Sequence, residues 1–183
     1  KSKAQGGPYL FKSDSYLPSD AVRGDLAESW KWIDNPLRLE VKLRKGVMFP
    51  EKPGVMASRE LTSQDVVYSY NRLLASPKRL ADFIDLVDKF EAPDKYTVVI
   101  HFKYYHEDWG HRLGWGVFAS VYPKEVVDAG IGDWKKANGS GPFMLTEYVG
   151  GNSQNYSKNP LYHGRETIGG QEYKRYRIYE KAI

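Results

Sequence analysis

The chain has 183 residues, of which 41% are hydrophobic and 27% are charged, as expected for a globular domain with one core. Its net charge of +4 comes from basic residues scattered along the chain, which argues against a nucleic-acid partner. Cysteine is absent, so disulfides, thiol catalysis and cysteine-based zinc sites are excluded. No stretch approaches the roughly 18 apolar residues of a membrane span.

Residues 1–16 are polar, rich in glycine and serine, and lack any hydrophobic period, which predicts an irregular lead-in. They also lack the apolar core of a signal peptide. The first hairpin follows, with strands at 26–33 and 37–43 joined by Asp34-Asn35-Pro36. Alternating leucine, valine and charged residues in the second strand indicate one buried face. The loop at 46–60 contains two prolines and a central glycine, and we expect no regular structure in it.

A helix is predicted from Thr62 to about Ala75 by three signals that agree. Thr62 and Asp65 have the spacing of a capping box, and Leu61 and Val66 have that of a hydrophobic staple. Apolar residues then recur at helical spacing, and Ser76-Pro77 ends the pattern. The stripe that should face the core consists of Val66, Val67, Tyr70, Leu73 and Leu74.

The second half of the chain alternates hairpins with shorter elements. Pro123 suits the first turn of a helix that Gly130 ends, and the aromatic, glycine-broken stretch 104–117 is predicted to be irregular. The predicted strands, in order, lie at 87–92, 96–102, 143–149, 154–158 and 173–179.

Several of these elements carry motifs that occur in a fixed order over residues 17–173. The order resembles the bacterial extracellular solute-binding proteins of family 5, the peptide, dipeptide, oligopeptide and nickel receptors of ABC importers. The motifs are the run from Gly24 to Leu74 (GDLAESWKWIDNPLRLEVKLRKGVMFP…LTSQDVVYSYNRLL), Glu91-Ala92-Pro93-Asp94, Tyr122-Pro123-Lys124-Glu125, Gly139-Ser140-Gly141-Pro142-Phe143 with Tyr148, and Tyr156-Ser157-Lys158-Asn159-Pro160-Leu161-Tyr162.

The resemblance implies an α+β fold of antiparallel hairpins with a few helices, in which residues 17–183 form part of lobe I of a two-lobed periplasmic-binding-protein fold. It implies periplasmic or extracellular capture of a peptide or peptide-like solute for an ABC permease in the membrane. Because family members continue into a second lobe, a chain ending at Ile183 is expected to lack that lobe. Such a fragment should bind peptide weakly, and its exposed aromatics and sheet edges should favour self-association.

The resemblance also places candidate ligand-binding residues. Phe83 lies near the position where an aromatic of this lobe reaches the N-terminal end of the ligand. Trp115, Phe118 and Ser120 correspond to a strand beside the cleft. Aromatic rings at these places could stack on a peptide, although packing in the core is the other interpretation. His163 departs from the tryptophan that usually follows the tyrosine in the last motif.

We predict no enzyme activity, no cofactor and no metal. His106, Glu107, Asp108 and His111 form the nearest approach to a metal cluster, but histidines at i and i+5 do not share a helical face. Gly139-Ser140-Gly141 leads into a strand rather than a helix, unlike a phosphate-binding loop. No nucleophile and base have the order of a catalytic triad.

Two alternatives remain open. One is a receptor of the same family for another solute: a nickel chelate, haem, an opine or an oligosaccharide. The other is a carbohydrate-binding or carbohydrate-processing module that uses the many aromatic residues, fourteen tyrosines and five tryptophans, as stacking platforms. Paired carboxylates across a cleft would favour the enzyme, and a one-walled cleft would favour the receptor.

Overall fold

The computed structural model describes residues 23–77, 85–114 and 120–176. In these residues helices and antiparallel strands are mixed, so the predicted α+β class is confirmed. The strands are β1 (Ala27–Asp34), β2 (Leu37–Leu43), β3 (Met48–Phe49), β4 (Arg59–Glu60), β5 (Val87–Asp94), β6 (Thr97–Phe102), β7 (Phe143–Val149), β8 (Ser153–Lys158), β9 (Arg165–Ile168) and β10 (Gln171–Lys174). The helices are α1 (Ser63–Ala75), α2 (Trp109–Gly114), α3 (Lys124–Gly130) and a 3₁₀ turn at Trp134–Lys136.

The main sheet has the order β1-β2-β6-β5, with every neighbouring pair antiparallel. Because side chains alternate along each strand, residues paired across the strands share a face. Trp32, Leu39, Ile100 and Phe90 form one apolar row across all four strands. Leu39 is only 1% exposed. The predicted first and second hairpins are therefore joined into one sheet with a continuous apolar face.

Helix α1 covers this face and begins as predicted. The backbone N–H of Thr62 donates to the Asp65 carboxylate over 2.9 Å, completing a capping box. Val66 and Tyr70 are buried, and the Tyr70 ring packs on Phe90 with 4.9 Å between ring centroids. Leu73 is only half-buried, less than the helical stripe predicts.

Two stretches that were predicted to be irregular contain regular structure. Within 46–60, β3 pairs with β4, and Lys52 exchanges backbone hydrogen bonds with Met56, so the prolines lie inside a narrow hairpin. Within 104–117, α2 is a short helix that includes Gly110 and ends at Gly114. In 46–60, pairing within the segment outweighs the local breakers. In α2, Trp109 packs against Trp30 and Trp32 of β1.

The C-terminal part consists of two separate hairpins. β7 pairs with β8 as predicted, and Gly130 ends α3 with φ +107°. The β9–β10 hairpin was missed as a pair, since only its second strand was predicted, at 173–179. Its two-residue turn is Gly169-Gly170, with φ of +59° and +83°, the conformation that favours glycine at both positions of a type I′ turn. Residues after 176 lie outside the described part.

Arg59 connects β4 to the start of α1, which follows it in sequence, and to the start of α3, 66 residues away. Its guanidinium makes two hydrogen bonds to Asp65 at the start of α1, of 2.7 and 3.0 Å. It makes two more to Glu125 in the first turn of α3, of 2.7 and 2.8 Å, and it lies over the Phe49 ring. Because Asp65 is buried, this arginine is the group that compensates its charge.

In the C-terminal part, Asn159 is fully buried and connects two segments by hydrogen bonds. Its side-chain N–H donates to the Gly141 carbonyl over 2.8 Å, and its side-chain oxygen accepts from Leu161 N–H over 2.9 Å. Its backbone bonds to Pro142 and accepts from the Tyr176 hydroxyl. Asn159 thus connects two of the sequence motifs, the one at 139–143 before β7 and the one at 156–162 after the start of β8.

The Arg59–Glu125 pair predicts a pH-dependent stability. The hydrogen bonds from Arg59 lower the pKa of Glu125 from 4.5 to about 2. A carboxyl whose pKa is lower in the folded state stabilises it above the unfolded pKa, and this contribution is lost as the pH falls toward the folded value. Wild type should therefore exceed Glu125→Gln in unfolding free energy at pH 6, and the difference should shrink between about pH 5 and pH 2. Urea unfolding followed by tryptophan fluorescence measures this, and a difference that does not change with pH would contradict it.

Candidate ligand-binding site

A cavity of about 480 Å³ lies beside the C-terminal half of α1. We call it the α1 cavity. The helix supplies one side of it, and the segment before α3 supplies the other. Its lining residues are Ser69, Tyr70, Arg72, Leu73, Ala75, Ser76, Pro77, Ser120 and Tyr122.

The two sides of the α1 cavity are fastened to each other by hydrogen bonds. The Ser69 hydroxyl accepts from the Tyr122 N–H over 2.9 Å and donates to the Tyr122 carbonyl over 3.3 Å. The hydroxyl of Tyr70 donates to the Leu113 carbonyl, and burial raises the pKa of Tyr70 well above its usual range. Tyr70 therefore stays neutral and keeps its donor role, so these hydrogen bonds join α1 to the segments that contain Leu113 and Tyr122.

The charge of the α1 cavity comes from Arg72, in the last turn of α1. No acidic residue is among the described lining residues. The partial negative charge at the C-terminal end of the helix offsets part of the guanidinium charge. A planar guanidinium still presents several N–H donors in a fork that suits a carboxylate. The wall can therefore hold a polar or anionic group of a solute by hydrogen bonds.

Of the residues predicted from sequence to contact a ligand, Ser120 lines the α1 cavity. Phe83, Trp115 and Phe118 lie outside the described residues. In sequence, residues 78–84 directly follow Pro77, and residues 115–119 directly precede Ser120. The ligand-binding role of all four residues stays a prediction.

The sequence interpretation missed Ser69, Arg72 and Tyr122 as lining residues. A signal for the first two was present, because Ser69, Arg72 and Ser76 follow the helical spacing of i, i+3 and i+7 on a face beside the apolar stripe. Tyr122 had no such signal, since its position depends on a contact with a helix 53 residues away.

His106 was predicted to be part of the nearest approach to a metal cluster, and both of its ring nitrogens have protein partners. The Nδ1 atom of His106 accepts from the Asp108 N–H over 3.1 Å, and its Nε2 atom lies 3.1 Å from the Arg112 guanidinium. A guanidinium beside the ring competes with a cation for that nitrogen. Among the described residues, no group of three or more histidine and acidic side chains is placed to hold a metal ion. The side chain of His111 is outside the described part.

Comparison with known proteins agrees with this fold. The sequence model of bacterial extracellular solute-binding proteins, family 5 Middle, matches residues 21–178. The chain belongs to this family, whose members are binding proteins. The predicted family membership is therefore confirmed, and the match extends beyond the last sequence motif. No helix in the described ranges has both the length and the apolar character needed to cross a membrane.

The relatives are much longer than this chain. It is 28% identical over 179 residues to di/tripeptide-binding protein 2 of Pseudomonas aeruginosa (strain UCBPP-PA14), covering 87% of this chain and 34% of the relative. It is 29% identical over 177 residues to oligopeptide-binding protein AppA of Bacillus subtilis (strain 168), covering 91% and 31%. A solved structure of MoaA from A. tumefacien R10 with mannopinic acid has a TM-score of 0.68 and 26% identity, covering 81% and 30%. The chain thus spans about a third of the length of these relatives.

Proposed function

We propose that the chain captures a peptide or peptide-like solute outside the cytoplasm and delivers it to an ABC permease. The observation that carries this proposal is the family match over residues 21–178. The curated relatives named as di/tripeptide-binding and oligopeptide-binding support peptide as the solute class. A periplasmic or extracellular location follows from the same proposal, as does the absence of a catalytic step.

The proposed mechanism is binding between two walls that close around the solute. In this chain the α1 cavity is one wall, held rigid by the Ser69–Tyr122 hydrogen bonds. A ligand that contacts both walls stabilises the closed state, because it gains contacts there that the open state lacks. Arg72 would orient the solute through a carboxylate or a carbonyl group.

We also propose that residues 17–183 form part of lobe I. The distribution of exposed apolar side chains supports this. Six of them, each at least 40% exposed, lie on or between the C-terminal hairpins: Tyr148, Val149, Tyr156, Leu161, Ile168 and Tyr173. Exposed apolar side chains in such a number are typical of a surface that packs against further protein. Peptide binding by this chain alone should then be weaker than micromolar, because one wall buries little of a ligand. Calorimetric titration with a peptide library tests this, and sub-micromolar binding would contradict it.

Nuclear magnetic resonance titration tests the proposed function directly. Tri-alanine added to the ¹⁵N-labelled chain should shift the amide signals of Ser69, Leu73 and Tyr122 in a saturable manner. Arg72→Gln should weaken the response, whereas the matched change Arg165→Gln, on the β9–β10 hairpin, should not. No response to tri-alanine, or equal responses in both variants, would contradict the proposal.

The second candidate is a non-peptide carboxylic acid as the solute. Arg72, the one cation among the described residues that line the α1 cavity, favours it, together with the similarity to a structure that holds mannopinic acid. Succinate in the same titration separates the candidates. If succinate shifts the cavity amides at lower concentration than tri-alanine does, the acid is the better solute.

Self-association through the β7–β8 hairpin is a further prediction. Tyr148 and Tyr156 are 43% and 55% exposed, and in the described part β7 and β8 pair only with each other. Burying these rings against a second copy would remove apolar surface and satisfy open strand edges. Sedimentation should show a concentration-dependent dimer that Tyr148→Ser with Tyr156→Ser reduces. Control changes at Tyr104 and Tyr105, which are exposed elsewhere, should leave it unchanged. A monomer at all concentrations would contradict the prediction.

A further inference from the structure

A second cavity, of about 270 Å³, lies between the main sheet and the helices α1 and α2. We call it the sheet cavity. Val41 of β2 and Val98 of β6 form its floor, and they are paired in the register of the two strands. Trp30, paired with Val41, and Trp109 of α2 form its sides, while Val66 of α1 lies opposite the floor. These five side chains are apolar except for the two indole N–H groups.

The exposure of Val41 shows that the sheet cavity is a real gap in the packing. Val41 lies in an inner strand, between Trp30 and Val98, yet it is only half-buried. Its cross-strand partner Val98 is 1% exposed. The unfilled contact surface of Val41 therefore faces the cavity. Interiors are normally packed to the density of organic crystals, so a gap of this size leaves apolar surface without contacts.

The size and the lining indicate which chemical group fits. An apolar cavity of about 150 Å³ is enough to bind benzene, and the sheet cavity is larger. The rings of Trp30 and Trp109 are 6.3 Å apart and nearly perpendicular, at 69°. This arrangement offers both an edge and a face, the geometry in which aromatic rings attract one another. An aromatic ring would gain more here than an aliphatic chain of the same area.

The sheet cavity also reaches the surface. Arg23 and Asp25, both exposed, are among its lining residues. The Asp25 carboxylate is held by the Arg175 guanidinium over 3.2 Å and lies 3.4 Å from His163 Nε2. The imidazole of His163, followed by the charges of Arg175 and Arg44, lowers the pKa of Asp25. The rim is therefore polar and charged, so that a ring can enter while a polar substituent stays at the surface.

We propose that the sheet cavity binds an aromatic ring, carried either by a free aromatic compound or by an aromatic side chain of a peptide. This site is distinct from the α1 cavity, although Tyr70 contacts both. The proposal rests on the packing of the sheet and not on the proposed transport function.

Fluorobenzene is the probe, because its ¹⁹F signal reports binding without interference from the protein. The signal should broaden and shift saturably in the presence of the chain, and the melting temperature should rise with fluorobenzene concentration. Val41→Phe fills the cavity with a ring of its own and should weaken fluorobenzene binding at least about 10-fold, because an overfilled cavity has no room for a second ring. Val149→Phe, the same change on the exposed end of β7, should bind like wild type.

Val41→Leu serves as the second cavity variant in case Val41→Phe does not fold, and it should weaken binding to a smaller degree. Competition identifies the source of the ring. Displacement of fluorobenzene by Ala-Phe-Ala but not by tri-alanine would assign the site to a peptide side chain. Binding of fluorobenzene without displacement would assign it to a free aromatic compound. No saturable binding to the wild-type chain, or equal binding to wild type and a folded Val41 variant, would overturn the proposal.

Discussion

Replacing Arg59 with methionine should lower the free energy of unfolding by about 3–5 kcal/mol, the range for breaking a buried ion pair on one side. The Asp65 side chain is only 6% exposed and would lose both hydrogen bonds to the guanidinium. Glu125 would lose its two as well. Methionine keeps most of the apolar stem of the arginine side chain. The decrease in the free energy of unfolding is therefore due to the missing charge and its hydrogen bonds rather than to lost packing.

Arg165→Met is the matched control. Arg165 pairs with Glu172 over 2.7 Å, but both side chains are more than half exposed, and surface pairs contribute about 0–1 kcal/mol. Urea unfolding of both variants at neutral pH measures the difference. If Arg59→Met costs no more than Arg165→Met, the interpretation of Arg59 as the partner of a buried charge is wrong.

Replacing Asn159 with leucine should cost about 2 kcal/mol or more, since a buried polar group left without its partner costs roughly 1–3 kcal/mol. Leucine is similar in size but cannot bond to the Gly141 carbonyl or the Leu161 N–H. Because these bonds join the turn into β7 to the run after β8, amide hydrogen exchange should also become faster in both segments.

Asn155→Leu provides the same change at an exposed position of β8, where the side chain donates to the exposed Glu147. It should change stability by less than about 0.5 kcal/mol, as surface substitutions usually do. An equal loss in both variants would show that the buried network of Asn159 has no special contribution.

The elements with strong local patterns were predicted well from sequence. α1 combines a cap, a staple and a stripe, and it was placed within a residue at each end. The hairpins β1–β2 and β7–β8 have turn residues between alternating strands, and they too were predicted. Agreement among independent local signals makes such predictions reliable.

The features that lack a strong local pattern could not be predicted in this way. The loop at 46–60 forms β3 and β4 although proline and glycine disfavour it. The partners of Arg59 are 6 and 66 residues away, and no local pattern connects Arg59 with Glu125. β9 was missed because its residues are polar, although the Gly169-Gly170 pair was an available turn signal.

The candidate site was predicted least completely. Family resemblance pointed to Ser120, which lines the α1 cavity, but the positive charge of that cavity comes from Arg72, which was not singled out. A cavity wall depends on how a helix and a distant segment approach each other. That approach is fixed here by the Ser69–Tyr122 hydrogen bonds, which leave no trace in a local pattern.

Photo-crosslinking can show whether the α1 cavity is the wall of a peptide receptor that contacts the solute. A tripeptide with a diazirine-bearing leucine between two alanines would be irradiated with the chain, and the modified residues located by mass spectrometry. We expect adducts at residues 69–77 and 120–122 that excess tri-alanine suppresses and that Arg72→Gln reduces. Adducts spread evenly over the surface, or confined to the hairpins β7–β10 and unaffected by tri-alanine, would contradict it.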